Sequence, residues 1–511
     1  MMAAPQGEDR SLMSGMVRMP GVLRLPFVGA AILLWVTAAF TQGPDTLWTK
    51  TYGEKFDSDY AYSVAQTSDG GYVIAGTTKP FLSADEDVYL LRTDSNGDTL
   101  WTRRYGGADD DQGQSVRETA DGGYIIAGWT ESFGVGLADF YVIRTTSNGD
   151  TIWTRRYGGS GSDYACSIDE VTGGGYIIGG YTDSFGSIDN DWYLVKIDAG
   201  GDTVWTKTYG GAAHDECRAV LQTADGGYIT AGATSSFGAA GYDAYFIKTD
   251  ANGDSLWTRV YGGGGADRAY SLDRTPDGGY IIAGYTGSFG AGVSDVYLIR
   301  LDMNGDTLWT RTYGGSEHDG GYSVRQVSSG GYVVTGYTES YGAGGYDVYV
   351  IRTDSGGDTL WTRTFGGARD DHGRSVLETT DYGYIIAGDV AHPTSTKADV
   401  YLIKIGPDCS GIDGNQADWP ALSTHLARPN PFRDMTLINY SLRQDAAICI
   451  RVYNPAGQEV RTLVNGVTGP GDHLTFWDGK DNIGRRVAGG MYLLRFEVAG
   501  TATTSKLILI R

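Results

Sequence analysis

From Asp45 to Gly406 the chain repeats one pattern of apolar and polar positions, and the stretch from Asp319 to Gly367 displays it in full. A first run, YSVRQV, ends in an SGG or DGG turn. The second, GYVVTGYT, is almost continuously apolar, as suits a strand covered on both faces. After a longer loop, DVYVIRTD alternates apolar with polar, which places one side in a core and the other outward. An NGD or GGD turn then leads into TLWTRTFG. Asn-Gly is the strongest short hairpin signal, because both central residues of such a turn need positive φ. Each period therefore predicts a four-stranded antiparallel meander, strands A to D.

The tryptophans of the last run fix the period. Trp48, Trp101, Trp153, Trp205, Trp257, Trp309 and Trp361 are spaced by 53 and then five times by 52 residues. The phase is more informative than the spacing. A lone D strand (DTLWTKTYG, from Asp45) precedes the first A strand, and the final copy stops after its C strand (DVYLIKIG, ending at Gly406). The leading strand supplies what the last copy lacks, so pairing the two ends removes exposed edges. The expectation is an all-β chain: a seven-bladed β-propeller over residues 44–406, closed by its N- and C-terminal strands. A linear β-solenoid gives no reason for the complementary phase.

Both ends carry other patterns. Arg18 and Arg24 precede an apolar run, LPFVGAAILLWVTAAF (25–40), and small or polar residues follow up to Gly43. This order predicts a secretory signal peptide over 1–43, with a plausible cut after Ala39. A retained anchor is the alternative, although the run is near the short limit for spanning, and no later stretch is long enough to cross a bilayer. Residues 407–424 read as a linker. From 425 to 511 six short alternating strands, MTLINYSL to TSKLILIR, predict a small Ig-like β-sandwich.

Composition sharpens this picture. Glycine, at 78 residues, is roughly twice as frequent as usual, yet 35 tyrosines and 12 tryptophans mark packed turns rather than a disordered linker. A formal charge of −22 argues against nucleic acid, whose phosphates demand a basic surface. Each LWT tryptophan offers about 150–250 Å² for burial, an upper bound of about 4–6 kcal/mol per blade. Paired glycines after strand D, such as Gly106 and Gly107, let the chain turn into the next inner strand; no helix follows, so they form no phosphate loop. Cys166 and Cys217 fall one residue out of register, so they are expected on opposite strand faces. Export permits a bridge between them, and buried free thiols are the alternative.

Candidate chemistry falls on one rim. One ring of aspartates precedes strand A: Asp59, Asp111, Asp163, Asp215, Asp267, Asp319 and Asp371. A second opens strand C: Asp87, Asp139, Asp191, Asp243, Asp295, Asp347 and Asp399. Because strands A and C run the same way, both rings should share an edge of the disc. Their oxygens leave Ca²⁺ open as a ligand, but repetition in every blade suits loop-capping Asx turns better. Residues that break the repeat are better site candidates. His214, His318 and His372 do so, all placed in D–A loops beside ring aspartates, without the short spacing of a zinc site. Phe81, Trp129 and Tyr341 offer stacking surfaces near the B–C loops. Arg92, Arg144, Arg300 and Arg352, recurring with Lys196, Lys248 and Lys404, read as a solvated or ion-paired stripe. No GxSxG elbow, HExxH helix or repeat-breaking carboxylate pair is present, so the motifs lean away from an enzyme and identify no cofactor.

Residues 45–406 resemble the bacterial extracellular propellers built from DGGYIIAGYT repeats, with weaker similarity to kelch-type and Asp-box propellers. The C–D hairpin TDSNGDTLW (Thr93 to Trp101) is similar to the sialidase Asp-box but has its tryptophan one residue late; such hairpins are folding elements. In the C-terminal module, Pro429-Asn430-Pro431-Phe432, VYNPAGQEVRTLV (Val452 to Val464), Trp477-Asp478-Gly479, Gly489-Gly490-Met491-Tyr492 and the terminal KLILIR resemble the C-terminal sorting domain of type IX secretion, which overlaps the flagellar hook-capping (FlgD) Ig-like domain. That resemblance implies passage across an outer membrane, with the secretion translocon as a partner and a secreted or outer-surface location. A plain Ig-like spacer is the alternative for the module. For the whole chain the expectation is a binding or adhesion scaffold for a glycan or protein ligand. A secreted polysaccharide-active hydrolase or lyase, and a structural envelope component, are the alternatives.

Overall fold

Turn chemistry cuts the repeat where the pattern indicates. The computed structural model describes residues 43–406 apart from 54–56, 81, 82, 84, 187, 188 and 393–396, and residues 425–510 apart from 443, 444, 456, 499 and 500. The expected signal peptide apart from Gly43, the linker and Phe81 lie outside the described residues.

Between Thr46 and Ile405 the described strands form seven four-stranded antiparallel sheets, the repeated unit of a β-propeller. In one of them the strands are Asp111–Glu118 (A), Tyr124–Thr130 (B), Asp139–Thr145 (C) and Thr151–Tyr157 (D). Six sheets take their strands in this consecutive order. The remaining one is composite: its A, B and C strands are His372–Glu378, Tyr384–Ala391 and Ala398–Ile405, and its fourth is Thr46–Tyr52 from the other end. Trp48 lies opposite Lys404 and Thr51 opposite Tyr401, and Gly406 N–H donates to the Asp45 carbonyl at 2.8 Å. The expected pairing of leading and trailing strands is therefore present.

Adjacent sheets are joined along two lines. On the inner line, the backbone N–H of a strand-A residue donates to a serine hydroxyl of the preceding sheet. The pairs are Val116 with Ser63, Ile168 with Ser115, Val220 with Ser167, Val324 with Ser271, Val376 with Ser323 and Val64 with Ser375, at 3.2–3.4 Å. Ala219 holds the equivalent position at the remaining junction and offers no hydroxyl. On the outer line, a strand-D tryptophan meets the tyrosine opening strand B of the next sheet: Trp101 lies 5.9 Å from Tyr124 and Trp309 5.8 Å from Tyr332. Arg103 covers Trp101 at 5.3 Å, and the Tyr105 hydroxyl reaches the Gly149 carbonyl at 2.6 Å. Because they line this outer edge, the tryptophans are only partly buried. Trp361 is the exception at 1% exposure, roofed by Gly43. The area bound given above thus overstates their contribution.

The strand-C cations are buried rather than solvated, Lys196 alone among the seven being partly exposed. Arg144 grips both oxygens of Asp121 at 2.5 Å, Arg92 both of Asp69 and Arg300 both of Asp277, while Arg92 and Arg300 also reach Tyr124 and Tyr332 of the next sheet. Lys248 and Lys404 pair likewise with Asp225 and Asp381. The carboxylates come from the turns between strands A and B, DGG for Asp69, Asp121, Asp225 and Asp277 and DYG for Asp381. Where that turn holds Ser329, Arg352 bonds its hydroxyl; where it holds Gly173, Lys196 lies over Tyr228 at 5.7 Å.

Residues 425–509 form two further sheets. One contains His425–Arg428, Thr436–Leu442 and Gly471–Trp477; the other contains Glu459–Thr468, Ala446–Tyr453, Gly490–Val498 and Thr501–Leu509. Trp477 fills their shared core against Tyr492 and Phe432, at 4.9 and 5.4 Å. The Pro-Asn-Pro-Phe segment docks on the final strand. Asn430 donates to the Lys506 carbonyl and accepts from Ile508 N–H, at 2.6 and 2.8 Å, so one side chain imitates a backbone ladder.

Candidate functional site

The aspartates of both rings sit at one end of the sheets, as Asp111 opposite Thr130 and Thr130 opposite Asp139 show. Their carboxylates turn into their own loops. Asp111 is fully buried and accepts from Gly107 N–H and the Ser132 hydroxyl at 2.8 and 2.7 Å. Asp163, Asp215, Asp267 and Asp319 repeat both bonds, and Asp371 accepts from Gly367. In the second ring Asp139, Asp243 and Asp347 accept from backbone N–H groups of Val135, Ala239 and Ala343. The rings meet across a glycine. A Cβ on Gly106 would lie 2.1 Å from one Asp87 oxygen and 2.6 Å from one Asp111 oxygen. Burial, then a neighbouring carboxylate, pushes the carboxyls of Asp139 and Asp243 up from their ordinary value. Among the described residues, no group of three or more His, Cys, Asp or Glu is placed to hold a metal ion.

The three histidines are not equivalent. His318 contacts the Ser294 hydroxyl at 3.1 Å in its loop. His214 contacts Glu216 at 2.7 Å, whereas His372 lies on strand A itself, one residue past its ring aspartate, and contacts Asp389 at 3.0 Å. The loop placement expected for His372 is thus corrected: the strand begins earlier than the repeat suggested, and the side chain faces inward. Of the two thiols, Cys217 is buried between sheets and Cys166 lines the axial cavity; both are free, on opposite faces as expected from their register.

That cavity is where the repeat breaks. Strand A of every sheet contributes to its wall. The third residue after the ring aspartate is Tyr62, Gln114, Cys166, Arg218, Tyr270, Tyr322 and Arg374 in successive sheets, and the first is Tyr60, Gln112, Tyr164, Glu216, Arg268, Gly320 and His372. Most other strand-A positions repeat a residue type, whereas these vary in size and charge, as does the sixth position after the aspartate (Ala65, Arg117, Asp169, Leu221, Asp273, Arg325 and Leu377). Glu216 accepts from Arg218 Nε at 2.9 Å and from Arg268 at 3.1 Å. Burial alone would raise its carboxyl, but Arg218, Arg268 and His214 hold it down to about 2. Asp389, 4% exposed, accepts from Arg374 at 3.0 Å and is likewise held below its ordinary value against the effect of burial.

Aromatic rings complete the mouth. Trp129 meets Tyr164 and Tyr164 meets Tyr181 at 5.3 and 5.2 Å; Tyr270 meets Tyr322 and Tyr322 meets Tyr337, both at 5.2 Å. Arg268 stacks 3.7 Å over Tyr242, and Arg374 4.7 Å over Tyr322. Such an arc presents π faces for stacking and hydroxyls and guanidiniums for hydrogen bonds. Tyr341, proposed from the sequence for stacking, bonds the Gly314 carbonyl at 2.8 Å and packs on Tyr349. Glu216, Arg218, Arg268, Arg374 and Asp389 escaped the sequence reading. Their signal was available in repeat columns that vary while their neighbours do not.

Sheets, cavity and C-terminal sandwich define the class: a β-propeller repeat protein carrying an Ig-like module. Residues 435–503 match the FlgD Ig-like domain, and residues 275–307 match the β-propeller domain of unknown function DUF5122. The regulatory protein FlaEY of Caulobacter vibrioides is 24% identical over 370 residues, covering 66% of this chain and 36% of FlaEY, so the chain spans little more than a third of that relative. Among solved structures, PorZ, an essential bacterial surface component of the type-IX secretion system of Porphyromonas gingivalis, is 13% identical with a TM-score of 0.43, covering 87% of this chain and 58% of PorZ. Sqt1 from Chaetomium thermophilum is 11% identical with a TM-score of 0.40, covering 92% of this chain and 99% of Sqt1.

Proposed function

We propose that this chain is an exported, seven-bladed propeller that binds an extracellular glycan or protein at the mouth of its axial cavity, carried outward by its C-terminal module. One observation carries the binding reading. On a scaffold that repeats its turns, ring aspartates and core, the inward positions of strand A diversify into tyrosine, arginine, glutamate and histidine. A purely structural component has no use for that variation, because it adds buried charge without completing any sheet. The export reading is supported by the leader pattern at 1–43 and by the sorting-like motifs and FlgD Ig-like match of the tail.

A glycan and peptide array probed with the secreted protein tests the first part. A ligand whose binding is lost in Tyr270→Ala and Arg268→Gln supports it. Steady consumption of that ligand at catalytic rates would replace it with the hydrolase or lyase reading. Deletion of residues 425–511 tests the second part: the propeller should stay inside the outer membrane, and unchanged surface display would end the sorting role.

A further inference from the structure

We infer that the waist of the axial cavity, below the mouth, is a binding site for a small oxyanion such as sulfate. The cavity has a volume of about 100 Å³, room for several waters or one hydrated tetrahedral anion. Arg117, Arg218, Arg325 and Arg374 all line it, and no aspartate or glutamate does. In a chain of net charge −22 this is an inversion of sign. The two upper guanidiniums are engaged by Glu216 and Asp389. The two lower ones are held more loosely. Arg325 has no carboxylate within 4 Å among the described residues, and it donates to the Val324 carbonyl at 2.9 Å. Arg117 approaches one, Asp169, only to 3.9 Å, and that carboxylate also accepts from Gln222 N–H.

Arg117 and Arg325 come from the second and sixth sheets in chain order and face one cavity, so each guanidinium repels the other. Burial, and then Arg325, pull the Arg117 pKa below its ordinary value by more than the nearby carboxylates of Asp169 and Asp273 raise it. The hydroxyls of Ser115, Ser271 and Ser323 stand on the same wall and supply further donors. A multiply charged oxyanion satisfies both guanidiniums at once, which chloride does less well because it lacks divergent acceptor oxygens. The inference does not depend on what the mouth binds.

The test is thermal unfolding and calorimetric titration of the exported full-length protein with sodium sulfate against sodium chloride at matched ionic strength. Sulfate should bind saturably and raise the melting temperature; Arg117→Gln and Arg325→Gln should each weaken it at least tenfold, with the exposed Arg104→Gln unchanged. Because the repulsion is relieved, the Arg117→Gln/Arg325→Gln double variant should melt no lower than wild type in sulfate-free, low-salt buffer. No saturable sulfate binding, or equal binding by both single variants, overturns the site. So does a double variant that melts lower without the anion, since the arginines then serve packing alone.

Discussion

The backbone N–H of Val64 donates to the hydroxyl of Ser375, 3.3 Å away and 311 residues later in the chain. The bond is buried, so Ser375→Ala leaves a donor without an acceptor, at a cost of about 1–2 kcal/mol. Ser63→Ala, at a junction between consecutive sheets, should cost a similar amount. Ala219 interrupts the same line, and Ala219→Ser should add up to about 1 kcal/mol by giving the next sheet its missing hydroxyl. Urea-unfolding midpoints of the three variants check this; a Ser375→Ala midpoint equal to wild type would show that the junction contributes nothing.

Much of this architecture was legible because it is periodic. The tryptophan spacing, the DGG and NGD turns and the out-of-phase ends each predicted a feature that the strands display, down to Trp48 opposite Lys404. What stayed hidden involves partners far apart in sequence. Nothing local joins Arg144 to Asp121 or Glu216 to Arg268; they meet only when strands and sheets stack. The tryptophans were read as more buried than they are, since periodicity tells which residues share a face and not whether another sheet covers it. Asp111 drew attention as a rim residue because its column is invariant, yet invariance there reflects Gly107 and Ser132, which need an acceptor.

Tyr382 tests the turn chemistry. It is the non-glycine residue of positive φ among the described residues, at 59°, while Gly70, Gly122, Gly174, Gly226, Gly278 and Gly330 hold the same turn position with positive φ. An L-residue in this region carries about 1–2 kcal/mol of strain, offset in part by the greater freedom of glycine in the unfolded chain. Tyr382→Gly should therefore stabilise the protein by about 0.5–1 kcal/mol, read as a higher urea midpoint. A lower midpoint would mean that the tyrosine ring makes contacts worth more than the strain.

The buried rings make stability fall as pH rises above the ordinary carboxyl value. The carboxyls of Asp111, Asp139, Asp243, Asp347 and Asp371 titrate above their ordinary 3.8, chiefly through burial. Between 3.8 and each raised value the folded chain holds a proton that the unfolded chain releases, so stability declines as pH rises through that window. Asp121, Asp225 and Glu216 shift downward, and their contribution is already complete above the ordinary carboxyl range. They cannot offset the decline. The melting temperature should fall as pH is raised through that window, and Asp139→Asn should flatten the fall. A profile rising across the window would contradict the burial of these groups.

At the cavity mouth Glu216 is shared by two guanidiniums and an imidazole. Its oxygens meet Arg218, Arg268 and His214, and only 9% of its side chain is exposed. Glu216→Gln keeps the shape and removes the charge, leaving Arg218 and Arg268 facing each other in a partly dry site at a cost of about 2 kcal/mol. If the network acts as a unit, adding Arg268→Gln should cost less in the Glu216→Gln background than in wild type, since the second change removes a charge already without its partner. A double-mutant cycle of unfolding free energies measures that difference. Strict additivity would show that the two side chains stand together without interacting, and that Glu216 does not fix the arginine over Tyr242.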